Sequence, residues 1–143
     1  MSDERGTRAV ADALYTMAAE LVDAPAGLEI VPTEPADLPA AMVQMLPTDP
    51  VRRRYKNGDW IGVQKWALYL RVDARDTGQR VDAIGTLQAA TDRVEDAVPD
   101  LPAGFEFRGT EADGTPTMRD ATEDYETWQV TFVTEYKRTR ERR

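Results

Sequence analysis

The sequence predicts an α+β domain, a mainly antiparallel β-sheet with two α-helices packed on one face, and three observations carry that prediction. Trp66, Leu68, Leu70 and Val72 alternate with Lys65, Ala67, Tyr69, Arg71 and Asp73, the period of two that marks a half-buried strand. From Tyr125 to Arg138 the alternation recurs, with Trp128, Val130, Phe132 and Tyr136 on one face and Thr127, Gln129, Thr131, Val133 and Glu135 on the other. Residues 7–24 and 77–98 instead repeat apolar side chains every three to four positions, the spacing of one helix face. A strand with one apolar face must be covered, and two amphipathic helices are the cover available.

The first helix places Val10, Leu14, Met17 and Leu21 opposite Arg8, Asp12, Thr16, Glu20 and Asp23, and Pro25 and Gly27 stop it. Its polar face is acidic, which fits packing on a core rather than lying on an anionic membrane. Residues 28–34 predict a short strand ended by Pro32. From Pro32 to Pro50 prolines are dense, which predicts a surface excursion with one helical turn around Met42, Val43, Met45 and Leu46. Exposed there, Met42, Met45 and Leu46 are candidates for a docking patch; the alternative is that this island tucks onto its own domain.

A basic arm follows, Arg52, Arg53, Arg54, Tyr55 and Lys56, closed by the turn signal Asn57-Gly58. After the Trp66 strand, Asp76 is placed to cap a helix, with Gln79 three residues on able to return the hydrogen bond. The predicted apolar stripe of that helix is Val81, Ile84, Leu87, Ala90, Val94 and Val98, and Pro99 ends it. Residues 104–111 alternate Phe105 and Phe107 with Glu106 and Arg108, Asp113-Gly114 marks a turn, and 116–124 reads as polar loop. The strands at 104–111 and 125–138 are expected to pair antiparallel across that loop. The second sheet face, with Lys65, Tyr69, Arg71, Thr127, Gln129 and Thr131, is left for water or another subunit.

A chain of 143 residues fits one domain, here 1–143 with a proline-rich excursion at 32–50 and a basic tail at 137–143. No stretch is long and apolar enough to span a membrane, and the residues MSDERGTR lack the apolar core of a secretory signal. With no histidine, no cysteine and Ser2 as the one serine, Ser-His, Cys-His and thiolate or imidazole metal chemistry are excluded. Glu111, Asp113, Asp120, Glu123 and Asp124 gather in one region, but their spacing is not that of a twelve-residue calcium loop and they read as a solvated turn. The expectation is therefore no enzyme, no metal and no cofactor.

The net charge of −8 is unevenly spread. Residues 73–126 are strongly acidic, whereas the arm at 52–56 and the tail at 137–143 are cationic. An anionic body is a poor general binder of nucleic acid, so the arm fits a charged contact with a protein better than a phosphate clamp.

The run Asp49-Pro50-Val51-Arg52-Arg53-Arg54-Tyr55-Lys56-Asn57-Gly58, the strand Trp66-Ala67-Leu68-Tyr69, a helix, Pro99-Asp100-Leu101-Pro102 and a last strand with Tyr125, Gln129 and Tyr136-Lys137 together resemble the minor capsid proteins of long-tailed phages, which look like tail terminators. The resemblance covers roughly residues 27–138 and lies in order and spacing; the helix at 77–98 departs from the family by carrying Ile84 and Leu87 in place of aromatic residues. It implies a non-enzymatic virion subunit at the head-tail junction, assembled in the host cytoplasm. Such a subunit forms a homohexameric ring that caps the tail tube protein, stops polymerisation and meets the connector or stopper protein of the neck. Viral DNA passes through such a ring without specific binding.

On this reading Arg52, Arg53, Arg54, Tyr55 and Lys56 meet the acidic 73–126 region of the next copy. Glu111, Asp113, Asp120, Glu123 and Asp124 become candidate channel-lining acids, because anionic walls repel phosphate. Two alternatives stay open: a head-completion or stopper protein of the same virion, and a small non-viral α+β binding module.

Overall fold

A computed structural model describes residues 7–22, 26–28, 38–48 and 51–139. In order the elements are α1 (Thr7–Leu21), β1 (Ala26–Leu28), β2 (Ala40–Met45), β3 (Val51–Arg54), β4 (Trp60–Asp73), α2 (Thr77–Asp96), β5 (Phe105–Ala112), β6 (Thr117–Ala121) and β7 (Tyr125–Arg138). β4 and β7 are each 14 residues long and pair antiparallel from Trp60↔Arg138 to Asp73↔Tyr125. Each is flanked on its outer side by two short strands set end to end. β3 and then β2 pair with the first and second halves of β4, and β6 and β5 pair with the first and second halves of β7. β1 adds to β2 in parallel, completing a seven-stranded sheet that is otherwise antiparallel. The α+β class expected from the alternation is the fold observed.

The two central strands hold together by side-chain pairs across the ladder. Trp66 lies opposite Phe132 with ring centroids 4.5 Å apart, and Leu68 lies opposite Val130. Beside them the Trp66 Nε1–H donates to Thr134 Oγ1 at 3.0 Å, and Thr134 Oγ1 is 2.8 Å from Thr110 Oγ1. These buried polar atoms are thereby satisfied, as a dry core requires. Both helices cover this face: Val10, Leu14, Met17 and Ala18 from α1 and Ala83, Leu87, Ala90 and Val94 from α2 join one core cluster with Trp66, Leu68, Leu70, Val72, Val130 and Phe132.

Asp76 caps α2 as expected, its carboxylate accepting from Gln79 N–H at 3.1 Å. Gln79 does not return the bond to Asp76 N–H. Its Oε1 accepts from Asp73 N–H at 2.9 Å and its amide donates to Leu38 O at 3.2 Å, tying the helix start to β4 and to the chain entering β2. The buried stripe of α2 also differs: it is Ala83, Leu87, Ala90 and Val94, while Val81 and Ile84 are 73% and 40% exposed, and the helix ends at Asp96, short of the expected Val98, which is 72% exposed beyond it. Successive steps of three residues fall short of a 3.6-residue turn, so a line drawn through 81, 84, 87 and 90 winds around the helix and joins opposite sides.

Three further expectations are corrected. The island at 40–46 is not a helical turn on an excursion but strand β2, with Ala40, Ala41, Met42 and Val43 buried. Pro39 and Pro47 stand just outside its ends, so the prolines delimit the strand without removing a ladder donor. The stretch 116–124 is not all loop: β6 occupies Thr117–Ala121, fully exposed, and turns into β7 through Thr122 N–H to Tyr125 O at 2.7 Å. A strand with no buried face leaves no periodic signal. Tyr69, expected to face solvent, is buried with Met42 and Ala67 in a small second cluster. Its hydroxyl donates to Gln44 Oε1 at 3.0 Å, and the Arg119 guanidinium lies 4.6 Å above its ring. Most of the strand expected at 28–34, residues 32–37 and 49–50 of the excursion, and residues 140–143 of the tail fall outside the described residues.

Candidate interaction surface at the basic end of the sheet

The arm Arg52–Lys56 is not a loose arm. Its first part is β3, paired with Trp60–Gly62, and its second part is the turn of a hairpin. Tyr55 N–H donates to Asp59 O at 2.8 Å and Gly58 N–H to Tyr55 O at 3.1 Å. Gly58 takes a φ of +93°, a conformation glycine adopts without Cβ strain. Asn57 Oδ1 accepts from Asp59 N–H at 3.0 Å. The Asn57-Gly58 signal in the sequence thus sets a fixed tip, and the cations project from defined positions.

The ladder then brings together cations that are far apart in sequence. Pairing of Trp60 with Arg138, Ile61 with Lys137 and Glu106 with Lys137 places the end of β7 and the start of β5 beside the hairpin. Arg52 and Arg108 approach the two oxygens of one carboxylate, Glu135, at 3.9 and 3.4 Å. Lys137 Nζ is 3.9 Å from the buried Asp59 and 5.8 Å from the Tyr55 ring, over which Arg53 also lies at 5.3 Å. Arg138 covers the Phe105 ring at 4.5 Å. A depression of about 340 Å³ is lined by Arg52, Arg53, Tyr55, Ile61, Arg108 and Glu135.

Among the described residues the arm therefore joins Arg108, Lys137 and Arg138 in one basic patch built from three strands. The Glu135 pairs are long and half exposed, and such pairs contribute at most about 1 kcal/mol. Guanidinium groups held this weakly can exchange their carboxylate for one on another molecule. Arg108 is missed by sequence reasoning because it reads only as the polar side of a mild strand; pairing residues 104–111 in register with 125–138 is the signal that places it beside Glu135.

The other candidates separate from this end. Met42 is buried on β2, and Met45 and Leu46 are half-buried, packing against the main core and the Met42–Ala67–Tyr69 cluster respectively, so these side chains take part in the domain's own packing. Glu111, Asp113, Asp120, Glu123 and Asp124 follow the β5–β6 flank away from the hairpin to the turn before β7. Glu111 and Asp120 are exposed, Asp113 bonds the break in the flank to β7 through its N–H to Thr131 O at 2.8 Å, and Asp124 pairs with Arg75. Cations thus gather at the Arg138 end of the long strands, whereas at the Tyr125 end acids and cations interleave, Asp124 with Arg75, Glu126 with Arg80, and Arg71 over the Tyr125 ring.

No protein-family model and no curated protein matches the chain. Among solved structures, a second match aligns over 100% of this chain at 12% identity with a TM-score of 0.45. A chain in the structure described as "Virion of native gene transfer agent (GTA) particle" superposes with a TM-score of 0.56 at 20% identity, covering 91% of this chain and 92% of that one, and the two chains share a fold from nearly end to end.

Proposed function

We propose that the protein is a structural virion subunit, a tail terminator that forms a homohexameric ring on the end of the tail tube, stops its polymerisation and joins the tail to the neck proteins of the head. The observation that carries this reading is the near end-to-end likeness of fold to a chain of a gene transfer agent virion. The order and spacing of the basic run, the Trp66 strand, the Pro99-Asp100-Leu101-Pro102 segment and the last strand point to the same kind of particle on separate grounds.

Charge supports ring closure. The cations at the Arg138 end of the long strands and the exposed acids along the β5–β6 flank make unlike surfaces on one subunit, and unlike surfaces pair heterologously, the arrangement that generates rings. The basic end of one copy then meets an acidic surface of the next, and Glu111, Asp113, Asp120, Glu123 and Asp124 face the passing DNA, which they repel. The role requires no catalysis and no cofactor. Purified protein mixed with tail tubes and viewed by negative-stain microscopy tests the proposal: rings are expected on tube ends with growth arrested. Bare tube ends that keep elongating would overturn it, and rings found only on the head side of the neck would move the protein one layer up.

A further inference from the structure

A groove of about 690 Å³ runs between the outer face of α1 and the segment after α2. Its apolar surface includes Met17, Leu101 and Val98, the last 72% exposed although it is a large aliphatic side chain. Its rim carries Glu20, Asp100 and Asp12, the last paired with Arg8 at 3.4 Å, and no lysine or arginine is among the described residues that line it. The β3–β4 hairpin is its complement in sign and in chemistry. The tip carries Tyr55, 39% exposed, with Arg53 and Lys137 over its ring, and the exposed Arg54 and Lys56 are its neighbours in the chain.

We propose that this groove receives the β3–β4 hairpin tip of a second copy of the chain, with Tyr55 against Met17, Val98 and Leu101 and the neighbouring cations against Glu20 and Asp100. The occupant is a second copy because the same chain carries a hydrogen-bonded hairpin tip whose half-exposed Tyr55 suits the apolar floor and whose cations are opposite in sign to the acidic rim. Val98 and Tyr55 are two of the large apolar side chains left exposed by the fold, and the contact covers both. The inference rests on the ring reading and names the receiving surface, which is distinct from the acids of the β5–β6 flank.

The test uses the full chain and two pairs of exposed positions. Self-association is measured by sedimentation and light scattering for the wild type, for Glu20→Arg with Asp100→Arg, for Arg54→Glu with Lys56→Glu, and for all four together. Circular dichroism checks that each variant is folded. Either double reversal is expected to weaken association roughly tenfold or more, and the quadruple variant to recover it. Because the chain has no cysteine, protein carrying Tyr55→Cys mixed with protein carrying Val98→Cys should form a disulfide-linked pair between copies. Rings that are broken by the hairpin reversal but untouched by the groove reversal, with no disulfide linking the two cysteine variants, would overturn the groove assignment and leave the ring standing. A wild-type chain that stays monomeric at every concentration and salt would overturn both.

Discussion

Thr134→Val is the substitution that most directly tests how the two central strands are held. Thr134 is 0% exposed, and its hydroxyl accepts from the Trp66 indole at 3.0 Å and bonds Thr110 at 2.8 Å. Valine keeps the side-chain volume and removes the hydroxyl, leaving the Trp66 N–H and the Thr110 hydroxyl buried without that partner. Each stranded group costs about 1–3 kcal/mol, so the pair amounts to about 2–6 kcal/mol. Thr134→Ser retains the hydroxyl and deletes one methyl, a loss of about 1 kcal/mol. In urea unfolding, with a slope of about 2 kcal/mol/M, the valine variant should lower the midpoint by about 1–3 M and the serine variant by about 0.5 M. The contrast decides between hydrogen bonding and packing as the cause, since serine is the smaller residue. A serine variant less stable than the valine variant would refute the account.

Leu87→Ala should destabilise by about 2–5 kcal/mol because Leu87 is fully buried under α2, whereas Val81→Ala on the exposed side of the same helix should stay within about 0.5 kcal/mol by thermal or urea melts. Gly62→Ala would set a Cβ 2.6 Å from a Trp60 ring carbon and 2.7 Å from the Tyr136 ring; the edge-to-face contact of those rings must open, and near-ultraviolet circular dichroism should change together with a loss of about 1–3 kcal/mol. Replacing Arg52, Arg53 and Arg54 together by Glu should leave the monomer folded and dissolve the ring in sedimentation at ordinary salt; intact rings would remove these residues from the interface.

How much could be read in advance followed from how each segment is buried. β7 matches its expected limits, Tyr125–Arg138, because one face is dry from Val130 to Tyr136 and burial alternates there. The Asp76 cap was legible because capping is local chemistry. β6 was not, since a strand exposed on both faces obeys no pattern, and its partner β7 alone defines it. β2 was hidden by prolines that bound it. The basic patch was half legible: Arg52–Lys56 stands out as a run, but its union with Arg108, Lys137 and Arg138 is a property of register, which depends on distant stretches of sequence pairing across β4 and β7.

The interrupted flanks of the sheet bear on crowding. Among the described residues, the outer edges are β1, three residues long, and β3, β5 and β6, each with a shift of register against its partner. β6 also carries two charged residues, Arg119 and Asp120, both exposed. An edge that is short, kinked or charged offers a poor template for a foreign strand. Copies gathered at high local density therefore have little means of zipping backbone to backbone into open-ended fibrils, and association is left to side-chain surfaces, whose geometry can fix a finite number of subunits.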